Sequence, residues 1–158
     1  MKTLDFQGYL TLLRELQETL LQLSQIELAK TQSVRDDDLE GLNRYMKQEQ
    51  ALSLSLRGFE QKQQAVRAAL QLDSVPLRDL AAHAPPTLQM ETQQLAEELR
   101  LQYQVFHAAF EVAQNTLECS LHQIEKVLRD LGEAPRGAIG YEDPGPSLPQ
   151  NMRTDFRA

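Results

Sequence analysis

The chain has 158 residues, 41% hydrophobic and 25% charged, with 6% aromatics, no Trp and a net charge of −7; that is one domain by default, its core drawn from Leu, Ala, Val and Ile, the side chains that interlock between helices. The acidic balance argues against a nucleic-acid binder, which gathers Lys and Arg on one face, and the single Cys119 excludes an internal disulfide or a zinc site built from paired cysteines. The opening MKTLDFQGYLTLLRELQ lacks the continuous apolar core of a leader and no stretch approaches the ~18 apolar residues of a membrane span, so the expectation is a cytoplasmic protein with no membrane insertion.

The first periodic run extends from about Thr3 to Ser33. Phe6, Tyr9, Leu13, Leu16, Leu20 and Leu23 step by three and four, with Arg14, Glu15, Glu18 and Gln22 on other faces, which predicts an amphipathic helix. Gly8 weakens its start, since Gly costs roughly 1 kcal/mol against Ala in a helix.

The next stretch, RDDDLEGLN, has two readings. As a calcium loop, Asp36, Asp38, Glu40 and Gly41 fall at positions one, three, five and six, but position twelve, which needs a bidentate Glu, is Lys47. The helical periodicity that follows Gly41 favours the other reading, in which Asp36 or Asp37 caps a helix and Glu40 completes a capping box with Asp37.

The second helix is predicted over about Leu39 to Leu72. Leu42, Tyr45, Glu49, Leu52, Leu56, Phe59, Gln63, Val66 and Leu70 alternate by three and four, the seam of helices packed at a shallow angle. Glu49 and Gln63 break that seam, setting register or lying at a wet edge. Gly58 marks a weak point or a close approach by another helix. The stretch LDSVPLRDLAAHAPPTLQ then predicts a short connector helix capped by Asp73 or Ser74, with Pro76 in its first turn, Leu77, Leu80 and Ala81 on its apolar side, and Pro85 and Pro86 as its stop.

A third helix is predicted from an N-cap at Thr87 to Leu131. Leu95, Leu99, Tyr103, Phe106, Phe110, Ala113, Leu117, Leu121, Ile124, Leu128 and Leu131 form one stripe that follows a nearly straight helix of roughly 65 Å. Its far end is expected to outrun its partners. From Gly132 onward the chain holds four of its seven Gly and four of its seven Pro, which predicts a flexible tail over 132–158 beside a helical domain over 1–131. Tyr141, Leu148 and Phe156 are anchors by which that tail could dock in a groove. No internal repeat is evident. The predicted fold class is all-α: an elongated antiparallel bundle of three long helices with a short connector helix and an irregular tail.

The sequence offers little chemistry. His122 shares a helix face with Glu118 and Glu125, yet the paired Glu-x-x-His motifs of a di-iron bundle are missing. His107 with Glu111 is no better placed, and His83 falls in the connector. Cys119 lies between Leu117 and Leu121, with no adjacent cation to lower its pKa. Phosphate loops, nucleophile elbows and metalloprotease motifs do not occur. The expectation is a non-enzyme with no cofactor and no metal, whose apolar stripes serve binding.

The stretch DDDLEGLNRYMKQEQALSLSLRGFEQKQ resembles the second helix of the FlgN family of flagellar export chaperones. LQLDSVPLRDLAAHAP is similar to that family's connector, and LRLQYQVFHAAFEVAQNTLECSLHQIEKVLRDL resembles its last helix, with Asn115 ahead of the Leu-rich run. GYEDPGPSLPQNMRTDFRA is similar to its tails, though richer in Pro. The resemblance implies a chaperone that holds the C-terminal amphipathic helices of hook-filament junction proteins before export, prevents premature assembly and delivers them to export apparatus components. Leu117, Leu121, Ile124 and Leu128 are the expected cargo-binding residues, where a cargo helix supplies a missing packing layer. Their competing role is packing against the first two helices or a second copy. The alternative function is a coiled-coil adaptor or structural homodimer, so the expected state is a monomer or weak homodimer.

Overall fold

The computed structural model describes residues 2–132, with side chains from Asp5 onward. The expected all-α architecture is what forms: α1 spans Lys2–Arg35, α2 Leu39–Ala69 and α3 Gln89–Asp130, with 3₁₀ turns over Leu77–His83 and Pro86–Leu88 between the last two. Tail residues Tyr141, Leu148 and Phe156 lie outside the described residues.

The chain runs up, down and up. Lys30 meets Glu49 while Tyr9 meets Gln63, so α1 and α2 are antiparallel. Arg14 pairs with Glu91, Gln17 with Glu98 and Ser24 with Gln102, so α1 and α3 run in the same direction. The helices α2 and α3 both flank α1 and contact each other little. The middle position explains why α1 supplies most of the core: Phe6, Tyr9, Leu10, Leu13, Leu16, Leu20 and Leu23 are buried. From α2 the core takes only Leu56, and from α3 Leu95, Leu99 and Phe106; Leu72, Leu80, Ala84 and Leu88 of the connector close the lower end.

Three hydroxyls on the buried arc of α1 are satisfied within the helix. The hydroxyls of Thr19, Ser24 and Thr31 donate to the carbonyls of Glu15, Leu20 and Glu27 at 2.9, 2.8 and 3.1 Å, which lets them sit in the interior without an unpaired donor.

The turn between α1 and α2 corrects the expected cap. Asp38, rather than Asp36 or Asp37, is the N-cap, and its Oδ1 accepts from the Gly41 amide at 2.9 Å. Asp37 has φ 54° and belongs to the closure of α1, where the Asp38 amide donates to the Ser33 carbonyl at 2.8 Å. An αL residue closing one helix cannot also be the extended cap of the next. With the frame moved by one, Gly41 takes the place expected for Glu40, and a Cβ there would collide with the Asp38 carboxylate.

The connector is 3₁₀ rather than α, and neither Asp73 nor Ser74 caps it; Pro76 precedes its first turn without a side-chain cap. Leu80 is buried, as its place on the apolar side predicts. Arg67, in the last turn of α2, ties the chain reversal by donating to the carbonyls of Leu72 and Val75. Thr87 is likewise no cap: it lies within the second 3₁₀ turn, and α3 starts at Gln89 after Leu88. Buried Thr92 donates instead to the Leu88 carbonyl at 2.6 Å. Among the described residues nothing lies within 4 Å of a Cβ built on Gly58, so none of the described helices makes a close approach there.

Candidate functional site

The stripe on α3 divides into two parts. From Leu95 to Ala113 its residues are buried or half-buried against α1, and Ala113 is the last buried residue of the helix. The pairing of Ser24 with Gln102, carried on along two parallel helices, brings Arg35 level with Ala113. Beyond that level α1 has ended and, among the described residues, α3 continues alone for about 18 residues, or about 27 Å.

The residues expected to bind cargo fall on this overhang. Leu121 and Ile124 are 52% and 53% exposed, and Leu131 is 71% exposed. Leu117 and Leu128 are half-buried. None of the four is a core residue of the bundle. Val127, which the sequence reading did not single out, is exposed on the edge of the same face. Among the described residues no three His, Cys, Asp or Glu side chains gather as ligands. Glu118, Cys119, His122 and Glu125 are all exposed, and His107 lies 3.5 Å from Glu111 in an exposed pair.

A second concavity opens between α1 and α2. It holds about 580 Å³ and is lined by Ile26, Ala29, Tyr45, Ala51 and Leu52, with Gln22, Gln25 and Gln48 completing it. Among the described residues no charged side chain lines it.

Both breaks in the α2 seam meet polar groups on α1, so they mark register. The Gln63 amide donates to the Tyr9 hydroxyl at 3.4 Å. The other break belongs to a buried charge cluster: Lys30 Nζ stands 2.6 Å from Glu49 and 3.2 Å from Glu27, whose side chain is 1% exposed. Burial, together with the neighbouring Glu49 carboxylate, pushes the Glu27 carboxyl up to about 8, while Lys30 pulls the other way. At neutral pH the Glu27 carboxyl is therefore held in its protonated form.

Sequence reasoning noted Glu49 but not Glu27 or Lys30. The signal was present: continuing the three-four stripe of α1 past Leu20 and Leu23 lands on Glu27 and Lys30. Among the described residues no helix is long and apolar enough to cross a membrane. Comparison with known protein families, with curated proteins and with solved structures finds no match to this chain.

Proposed function

We propose that this chain is a cytosolic, non-enzymatic chaperone of flagellar type III export, which holds the C-terminal amphipathic helices of hook-filament junction proteins and passes them to the export apparatus. The reading is supported by one observation above all: the α3 stripe continues for about five turns past the end of α1, leaving Leu121, Ile124 and Leu131 open. A monomer that leaves such a stripe uncovered has a partner to cover it.

Magnitudes suit capture with release. Four or five large apolar side chains contribute roughly 1.5–3 kcal/mol each on burial, against an association cost of ~4–15 kcal/mol. What remains spans weak to submicromolar binding, within which a cargo can be handed on.

Calorimetric titration of the full chain with C-terminal segments of the junction proteins tests the proposal. Saturable one-to-one binding, lost in a Leu121→Ser, Leu128→Ser variant that keeps its helicity, supports it. Absence of heat across the accessible range overturns it. The second reading, a structural homodimer, draws on Leu101, Val105 and Val112, which are also exposed on α3; sedimentation as a dimer at all dilutions favours that reading instead.

A further inference from the structure

The open stripe of the overhang is the continuation of the one that α1 covers lower down, so its occupant stands where a longer α1 would stand. Two charge features surround that place. At its foot lies the α1–α2 turn, where Asp36, Asp37, Asp38 and Glu40 are all exposed beside a single cation, Arg35. Along one edge of the stripe stand Glu118 and Glu125, seven residues apart and exposed, while Thr116, Ser120 and Gln123 give the other edge no charge.

Cations occupy more distant positions. Arg44 and Lys47 are exposed farther along α2, Arg44 lying 5.2 Å from the centre of the Tyr45 ring. Lys126 and Arg129 belong to the last turns of α3, at the far end of the overhang. The foot of the exposed face is therefore its most acidic part.

A second copy of the chain fits this face poorly. Antiparallel pairing that sets Leu117 against Leu128 and Leu121 against Ile124 also brings Glu118 of one copy beside Glu125 of the other, and like charges across a seam are unfavourable. Parallel pairing drives the two α1–α2 hairpins into each other, because each stands below the space that the other overhang would fill.

We propose that the occupant is an amphipathic helix of about 18 residues whose Lys or Arg residues lie at the end meeting the acidic turn. The inference rests on the reading of the overhang as a docking face and adds the chemistry of what docks there. Apolar contact along Leu117, Leu121, Ile124 and Leu128 supplies the area, and the charged foot selects the partner and its orientation.

Two fluorescent peptides of about 18 residues provide the probe, both with a leucine seam at helical spacing, one with lysines in its last turn and the other with glutamates there. Anisotropy titration into the full chain is expected to give at least about tenfold tighter binding of the lysine peptide, the difference shrinking as salt rises from about 50 to 500 mM. Asp36→Asn with Asp37→Asn should remove most of that difference while sparing the cap at Asp38. Leu121→Ser with Leu128→Ser should abolish binding of the lysine peptide. Equal affinity for the two peptides, or a difference indifferent to the Asp changes, overturns the charge rule; binding that survives the Leu changes overturns the site. A lysine peptide that binds while junction-protein segments do not removes the export reading and leaves the docking chemistry standing. Junction segments that bind while the two peptides are not distinguished do the reverse.

Discussion

Replacing Glu27 by Gln should flatten the dependence of stability on pH. In the folded chain this carboxyl titrates near 8, against 4.5 for the ordinary group. Its contribution to stability is therefore fully present below about pH 4.5, declines as the unfolded chain ionises there first, and is lost as pH rises through 8. The interval of about three and a half pH units, at ~1.4 kcal/mol per unit, sets a ceiling of about 5 kcal/mol on the loss. Relaxation around the charge lowers the amount, and about 2–4 kcal/mol is the range expected in practice. A Gln side chain has nearly the same shape, keeps an oxygen for Lys30 and offers an amide to Glu49, but it has no proton to lose. Urea denaturation followed by circular dichroism at pH 5, 7 and 9 gives the comparison. The parent should weaken over that range more than the Glu27→Gln variant, so that the difference between them moves in the variant's favour as pH rises. Parallel pH profiles for the two proteins would refute the assignment of a buried, protonated Glu27.

Two further substitutions test the packing. Gly58 is helical with nothing near its Cβ position, so Gly58→Ala should raise stability by about 1 kcal/mol and the melting temperature by roughly 3 °C in a thermal scan. Leu99 is fully buried whereas Ile124 is 53% exposed; Leu99→Ala should cost about 2–5 kcal/mol in urea denaturation and Ile124→Ala under about 1 kcal/mol. Similar losses at the two sites would mean that the overhang is packed after all.

The three long helices and the inward seam of α2 were legible because a three-four alternation over many turns records burial directly. The same periodicity predicted the α3 stripe from Leu95 to Leu131, and its length against α1 predicted that its end would outrun its partners. Boundaries were less legible. Three consecutive Asp residues can each cap, and only the way the chain closes α1 after Arg35 selects Asp38. Thr87 looks like a cap by type, but the proline-bounded 3₁₀ turn carries it past the start of α3. Glu27 and Lys30 were hidden by their polarity: a stripe is read by its apolar members, and two ionisable side chains at stripe positions look like the end of the stripe. At the candidate site, the pattern names Leu117, Leu121, Ile124 and Leu128, but only the relative heights of α1 and α3 show that, among the described residues, no helix stands beside them.

The central position of α1 also bears on how the chain assembles during synthesis. Its contacts with α2 close through a short turn, whereas two of its polar pairs with α3 join residues 78 and 81 positions apart. Local contacts form early and distant ones wait for loop closure, so the α1–α2 hairpin emerges first with the side of α1 that α3 will cover still bare. Until the ribosome has made the segment around Leu95 and Leu99, that face is open to any passing apolar surface. The nascent hairpin thus resembles the helices this protein is proposed to guard, and slow translation across the connector would lengthen its exposure to aggregation.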